Sequence, residues 1–223
     1  MLIAQNLGKR YFRKTHQANS FFSVRSANLE LRPGEITVLA GRSGSGKTTL
    51  LHMLAGLLTP TEGEVLLNDV NLYKLSDPAL SRLRAEKIGV VPQGRSAVDT
   101  LTVFENILLP AQLLGTKGDA SAAERWLETL NIGHLKDARP AELSGGELRR
   151  MAIVRTLAQN TEILLADEPT GDLDDENTEQ VLRVMSDAAH KDGKALLIVS
   201  HDSAAMKIAD QLYRMDGGTL MRE

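Results

Sequence analysis

Short apolar runs recur along this chain, each bounded by polar or turn-forming residues, and they are typical of buried strands. Helical repeats of apolar residues follow most of them, at the spacing that places one face of a helix in a core. The strand runs lie at residues 36–40, 87–91, 163–166 and 195–199, and the helical repeats at 50–58, 77–86, 145–159 and 176–190. This alternation predicts an α/β fold with a mostly parallel core sheet.

Antiparallel strands are favoured near both ends of the chain. β-compatible alternation at 1–12 and 24–31, with a polar loop at 13–20, predicts an N-terminal antiparallel β subdomain. A further short strand is expected at 64–67, after the first core helix. A short helix after residue 199 precedes a hairpin around residues 216–218.

The segment between the two α/β halves is predominantly helical. Phe104, Ile107, Leu108 and Leu114 predict one amphipathic helix, interrupted near Pro110, and residues 122–130 predict another. We therefore expect one domain over residues 1–223. Its core comprises about residues 1–93 and 150–223, and residues 94–149 form a helical subdomain.

The composition narrows the functional classes. The chain has 223 residues, of which 42% are hydrophobic and 25% charged, as in globular proteins. A net charge of −3 gives no electrostatic reason to expect nucleic acid as a partner. The absence of cysteine excludes disulfides, thiolate metal sites and cysteine nucleophiles. Without a signal-peptide core or an apolar run of about 18 residues, we expect a soluble cytosolic protein whose membrane role comes through a partner.

A glycine-rich loop lies between the first core strand and its helix. Residues 41–48 fit G-x-x-x-x-G-K-[ST], in which the backbone N–H groups surround the phosphates of a nucleotide. Lys47 adds a mobile ammonium, and the Thr48 hydroxyl can bind Mg²⁺. A chance glycine-rich turn is the alternative, expected in about 1% of chains this long. The nucleotide-binding residues predicted here are Gly41, Ser43, Gly44, Ser45, Gly46, Lys47, Thr48 and Thr49.

Two adjacent acids end the strand at 163–166. Because ligands of open α/β sheets bind at the carboxyl ends of the strands, and adjacent strand residues point to opposite sides, one acid can face a metal and the other a water molecule. Asp167 is the predicted metal-binding acid, and Glu168 the predicted general base. The alternative is a pair of helix-capping acids before Pro169.

A second glycine motif opens the helix at 145–159. Ser144 and Glu147 have the spacing of a capping box, and Gly145 and Gly146 leave the helix N-terminus open to an anion. An isolated motif of this kind is more often a well-capped helix and nothing more. Both phosphate-binding motifs could nevertheless serve one γ-phosphate if two chains paired head to tail.

Two further motifs follow, Asp172-Leu173-Asp174 and Ser200-His201-Asp202. With all of these motifs in the family's order, the chain resembles the ATP-binding subunits of ABC transporters over nearly its whole length. The resemblance implies that Tyr11 stacks on adenine and that Gln93 contacts Mg²⁺ and water and reports to the membrane subunit. It also implies that His201 contacts the γ-phosphate and that Asp174 acts across a dimer interface. The alternative for each of these residues is an ordinary structural role: a strand aromatic for Tyr11, a loop amide for Gln93, an unremarkable histidine for His201 and a helix N-cap for Asp174.

The sequences around Thr102–Ile107 and the motifs above are similar to one branch of the family, which contains lipoprotein-release, macrolide-export and division-associated ATPases. Pro92, Gly94 and Asp172 depart from that branch, and residues 95–100 match none of its subgroups. The resemblance implies a Mg²⁺-dependent ATPase that forms an ATP-sandwiched homodimer and energises an integral membrane permease at the inner face of the cell membrane.

Two alternatives use the same motifs. A soluble ABC-type ATPase could serve a cytosolic assembly complex, although the long coiled coil of the DNA-handling relatives is absent. A small P-loop kinase or GTPase would need an acceptor lid or a guanine-reading motif, and would leave the serine-glycine motif unused.

Overall fold

A computed structural model describes residues 1–12 and 20–223, so the predicted loop at 13–20 lies, apart from Ser20, outside the described residues. Within this part of the chain the strands are β1 Leu2–Phe12, β2 Ser20–Leu31, β3 Ile36–Ala40, β4 Glu62–Leu67, β5 Val70–Asn71, β6 Ile88–Val91, β7 Ile163–Asp167, β8 Ala195–Val199, β9 Gln211–Asp216 and β10 Thr219–Arg222. The helices are α1 Lys47–Leu54, α2 Asp77–Lys87, α3 Val103–Leu113, α4 Ala120–Thr129, α5 Gly145–Ala158, α6 Asp175–His190 and α7 Ser203–Lys207.

The strands form a ten-stranded sheet in the order β5-β4-β1-β2-β10-β9-β3-β8-β7-β6. Strands β9, β3, β8, β7 and β6 are parallel to one another, whereas β1 is antiparallel to both β2 and β4. The predicted mixture of a parallel core and an N-terminal antiparallel part is therefore confirmed. Because parallel strands end at the same edge, the segments that follow β3, β6, β7 and β8 meet there.

Two hydrophobic cores lie on opposite faces of the parallel strands. In β8, Leu196 and Ile198 join the core that packs against α3–α6, whereas Leu197 and Val199 join the core beneath α1 and the antiparallel strands. The period of two along a strand produces this division, and burial on both faces explains why the strands are apolar throughout.

The predicted interruption near Pro110 is wrong, because α3 continues through this residue to Leu113. Proline removes one backbone donor, but it lies in the last turn of the helix, and the carbonyl groups of Pro110 and Ala111 accept from the Leu114 N–H. The helix thus keeps its buried face, which includes Val103 and Ile107, at the cost of one backbone hydrogen-bond donor.

The helix after the glycine-rich loop ends earlier than its leucine repeat indicates. α1 stops at Leu54, and Gly56 follows in the left-handed region at φ 67°. Glycine is common just beyond a helix C-terminus for this reason. The Tyr73 hydroxyl lies within hydrogen-bonding distance of the carbonyl oxygens of Met53, at 2.5 Å, and Leu58, at 2.8 Å, and so closes this end of the helix.

In the described residues no helix combines the length and hydropathy needed to cross a bilayer.

The predicted helical segment contains α3 and α4, and its expected boundary at residue 149 falls within α5.

Candidate functional site

The glycine-rich loop joins β3 to α1, as predicted, and three of its glycines have positive φ. Gly46 has φ 109°, and a Cβ added there would lie 2.1 Å from the Ser23 carbonyl oxygen in β2. At Gly41, with φ 153°, an added Cβ would lie 2.4 Å from the Met215 carbonyl oxygen in β9. These two glycines are therefore required by packing against neighbouring strands as well as by the curvature of the loop.

Lys47 is 8% exposed, and its ammonium is held by the loop itself. Nζ donates to the carbonyl oxygens of Gly41, at 2.8 Å, and Arg42, at 3.0 Å. A bound phosphate would replace these acceptors. The hydroxyl of Thr49 accepts a 2.9 Å hydrogen bond from Ser23, whereas Ser45 Oγ is buried without a hydrogen-bond partner in the described structure.

A cleft of about 740 Å³ lies above the loop, at the carboxyl edge of the parallel strands. It brings together the loop, the acidic pair and two further predicted residues, Gln93 after β6 and His201 after β8. Its lining consists of Ser23, Gly41, Arg42, Ser43, Gly44, Gly46, Lys47, Thr48, Thr49, Gln93, Arg149, Asp167, Glu168, Gly171, Asp172 and His201. This volume and this set of charged and hydroxyl groups suit a nucleoside triphosphate.

Asp167 lies at the end of β7 and is 2% exposed. Neither of its carboxylate oxygens has a hydrogen-bond partner in the described part of the chain. Burial raises the pKa of this carboxyl group, and the nearby Thr48 hydroxyl opposes that shift. The hydroxyl does not, however, form a hydrogen bond with the carboxylate. A buried, unpartnered carboxylate beside a hydroxyl is a donor set that fits a hard cation such as Mg²⁺.

Glu168 follows the strand rather than continuing it. Its φ of 49° is left-handed, and its backbone N–H donates to the Val199 carbonyl oxygen at 2.8 Å. The direction of this carboxylate was predicted from the alternation of side chains along a strand. Because Glu168 lies beyond the strand in a left-handed conformation, that alternation does not set its direction. It is oriented by Ser200 Oγ, 3.3 Å from Oε2, and by His201 Nδ1, 2.9 Å from Oε1. A non-glycine residue held at positive φ stores strain of the kind found at functional sites.

The serine-glycine motif lies outside the cleft. Ser144 caps α5, accepting from the Glu147 N–H at 3.3 Å, while Glu147 Oε2 accepts from the Ser144 N–H at 2.7 Å and from the hydroxyl at 2.8 Å. These two donors lower the pKa of the Glu147 carboxyl group. The capping box is thus confirmed. The helix start formed with Gly145 and Gly146 does not line the cleft that contains the chain's own glycine-rich loop.

Asp174 and Tyr11 are also absent from the cleft lining. Asp174 is the N-cap of α6, accepting the Asn177 N–H at 2.8 Å, and this bond and the Asn177 side-chain amide lower the pKa of its carboxyl group. The Tyr11 ring stacks on Phe21 across β1 and β2, with 5.8 Å between centroids.

Sequence reasoning missed Ser23, Arg42, Arg149, Gly171 and Asp172 among the residues lining the cleft. Asp172 has φ 65°, a left-handed conformation that aspartate tolerates better than most residues. Arg42 lies inside the glycine-rich motif, and Asp172 begins the motif Asp172-Leu173-Asp174. Ser23 lies outside the motifs and reaches the cleft through the sheet. Arg149 lies two residues after Glu147 of the serine-glycine motif and reaches the cleft from α5.

Known proteins are similar to this chain over its whole length. A family model described as ABC transporter matches residues 24–171. The chain is similar to a solved structure described as a dimeric post-hydrolysis state of the ATP-binding cassette MJ0796 bound to ADP and Pi, with 30% identity over 100% of this chain and 98% of that chain and a TM-score of 0.92. A dimeric structure of MJ0796, described as a bacterial ABC transporter cassette, shows 31% identity with the same coverage and a TM-score of 0.93. The chain therefore belongs to the ABC transporter family, as one of its α/β P-loop ATPase domains.

Proposed function

We propose that this chain binds ATP with Mg²⁺, hydrolyses it as a homodimer, and energises a separate membrane subunit that exports or moves a lipoprotein, peptide or drug-like substrate. The observation that carries the proposal is the single cleft containing the glycine-rich loop, Asp167, Glu168, Gln93 and His201. The motif similarities to the lipoprotein-release, macrolide-export and division-ATPase branch support the finer assignment.

The residues of the cleft have distinct roles in this reaction. Lys47 leaves its backbone carbonyl acceptors for the β- and γ-phosphates, and the loop N–H groups hold the phosphate oxygens. Thr48, Asp167 and Gln93 would hold Mg²⁺, which neutralises charge on the phosphates when bound. Glu168 accepts a proton from the attacking water. His201, which contacts the Glu168 carboxylate in this structure, is placed to contact the γ-phosphate.

A second copy of the chain completes the site. Ser144 and Gly145 are exposed and Gly146 is half-buried, and none of the three lines the chain's own cleft. In a head-to-tail pair, these residues and Asp174 of one protomer would face the nucleotide held by the other. The dimeric state of the MJ0796 structures supports this arrangement. Tyr11 would stack on the adenine ring from the antiparallel strands.

The membrane partner would dock on the helical segment. An apolar groove of about 430 Å³ runs between α2 and α3, and Leu113, at its rim, is 79% exposed. Phe104, at the start of α3, is half-buried against the core. Docking here would place the protein peripherally on the inner face of the cell membrane. Co-purification with a soluble scaffold rather than a membrane protein would favour the alternative role in a cytosolic assembly complex.

Mixing two inactive variants tests the shared site. Lys47→Ala disables a protomer's own loop, and Gly145→Asp puts a negative charge where the partner's phosphate would lie; a Cβ at Gly145 meets no atom within 4 Å. Each homodimer should be inactive. An equimolar mixture should recover about a quarter of the wild-type ATPase rate, because half the dimers are mixed and each contains one intact site. A mixture with no activity, or full activity of Gly145→Asp alone, would refute the shared site.

A further inference from the structure

Two arginines of α5 hold the segment that contains Gln93. Arg149 donates from Nη1 to the Pro92 carbonyl oxygen at 2.6 Å and from Nη2 to the Gln93 carbonyl oxygen at 2.5 Å. Arg155 donates from Nη1 to the Ser96 carbonyl oxygen at 2.7 Å and from Nη2 to the Ser96 hydroxyl at 2.5 Å. The planar fork of each guanidinium fixes two acceptors at once, so the segment is anchored at both ends to one helix.

Arg155 is a mostly buried cation, and in the described part of the chain it forms no salt bridge. Burial lowers the pKa of its guanidinium group. The two bonds to Ser96 are therefore the contacts that offset its desolvation, and a carboxylate brought close to it would compete strongly for the same N–H groups.

The same guanidinium reaches the docking groove. Arg155 lines the groove together with Arg82 and the apolar side chains of Leu109, Leu113 and Leu114. Arg82 already pairs with Glu86 at 2.8 Å. In the described chain, Arg155 is thus the cation of the groove that has no carboxylate partner. Its two hydrogen bonds are to Ser96, which lies three residues after Gln93.

We propose that Arg155 is a positioning residue that links the docking groove to Gln93. A membrane-subunit segment with apolar side chains and one acidic group would pack along Leu109 and Leu113 and draw Arg155 away from Ser96. Release of Ser96 would loosen the segment that carries Gln93 at the nucleotide cleft. This inference rests on the proposed function for the role of Gln93, but the link itself can be measured without ATP.

A spin label measures the link directly. The chain has no cysteine, so Arg95→Cys, at an exposed position between Gln93 and Ser96, gives a single labelling site. Arg155→Met should increase the mobility of the nitroxide in its electron paramagnetic resonance spectrum. Ser96→Ala, which removes one of the two acceptors, should have a smaller effect, and Arg82→Met should have none. Should Arg155→Met not fold, Arg155→Lys tests the same point, because it keeps the charge and loses the fork.

A carboxylate placed in the groove imitates the partner. Leu113→Glu should mobilise the label and lower kcat by about fivefold with KM for ATP within about twofold of wild type, whereas the matched Leu113→Gln should leave the mobility of the label as in wild type. In an Arg155→Met background, Leu113→Glu should have no further effect. A label that Arg155→Met leaves unchanged, or a Leu113→Glu effect that persists without Arg155, would overturn the link. A wild-type protein that does not hydrolyse ATP would refute the proposed function instead, while the label measurements would still stand.

Discussion

His201 Nδ1 lies 2.9 Å from Glu168 Oε1, and this contact joins the second residue after β8 to the first residue after β7. The Glu168 side chain is 14% exposed and that of His201 is 79% exposed, so the carboxylate lies within the cleft and the imidazole at its rim. Because Glu168 is in a left-handed conformation, its side chain turns towards the neighbouring strand's end instead of away from it. The two groups proposed for proton acceptance and phosphate contact therefore orient each other.

Glu168→Gln tests the general base. The amide keeps the size of the side chain but cannot accept a proton from water, so kcat should fall by about 10²- to 10⁴-fold. KM for ATP should change little, because the glycine-rich loop is untouched. Steady-state phosphate release measures both parameters.

Ser200→Ala is the matched control for this variant. It removes a 3.3 Å hydrogen bond to Glu168 but leaves the carboxylate in place, so kcat should fall only a few-fold. Turnover by Glu168→Gln within about threefold of wild type would show that another group activates the water.

Asp167→Asn should change stability and metal binding in opposite directions. The native pKa of Asp167 is raised, so the folded protein binds more protons than the unfolded chain between the two pKa values. Its contribution to stability therefore falls as pH rises through the folded-state pKa, and the ionised, unpartnered carboxylate destabilises the nucleotide-free protein. Asp167→Asn should raise the free energy of unfolding near neutral pH by about 1 kcal/mol.

The same variant should lose the stabilisation that Mg²⁺ adds. Thermal unfolding with a non-hydrolysable ATP analogue, with and without Mg²⁺, measures this increment as a shift in Tm. Wild type should show a larger shift with the metal, and Asp167→Asn should show almost none. An undiminished Mg²⁺ increment would place the metal on other ligands.

Gly46→Ala and Gly44→Ala separate packing from loop conformation. Both glycines have positive φ, which costs alanine about 1 kcal/mol. Only the Gly46 Cβ would collide with backbone, the Ser23 carbonyl oxygen, while the Gly44 Cβ meets nothing within 4 Å. Chemical denaturation should show a loss of about 1 kcal/mol for Gly44→Ala and of more than about 3 kcal/mol for Gly46→Ala. Equal losses would mean that β2 moves to admit the methyl group.

The periodic core elements could be predicted from sequence because each is specified locally. Strand β8 has the predicted bounds, since an apolar run buried on both faces is unambiguous when turn residues flank it. Pro110 misled the prediction because the local cost of proline was offset by the buried face of α3, a tertiary effect. The cleft residues that belong to sequence motifs could be predicted for the same reason, because each motif is a local pattern.

The remaining cleft residues are specified by tertiary structure. Ser23 reaches the loop because β2 lies beside the β9–β10 hairpin, where Gly218 N–H donates to the Ser45 carbonyl oxygen at 3.1 Å. Arg149 reaches the cleft because α5 crosses the segment after β6. Neither position carries a local signal, because serine and arginine are ordinary residues in strands and helices.

The contact between Asp210 and β3 makes stability depend on pH in the acidic range. The Asp210 carboxylate accepts the Ile36 N–H at 2.7 Å and faces His190 Nε2 at 2.9 Å. Burial alone would raise the pKa of this carboxyl group, but the bonds from His190 and Ile36 outweigh it and lower the pKa. A lowered native pKa gives stability that is present above the unfolded-state pKa and lost as pH falls through the folded-state pKa.

Asp210→Asn should therefore lower the free energy of unfolding near neutral pH by about 1 kcal/mol, a modest value because the carboxylate is 41% exposed and screened by solvent. The wild-type and variant values should converge as pH falls through the folded-state pKa of Asp210, because the wild-type carboxylate then becomes protonated. Urea unfolding across this range measures the difference. A gap that stays constant with pH would attribute the loss to packing at the start of β3 rather than to the charge of Asp210.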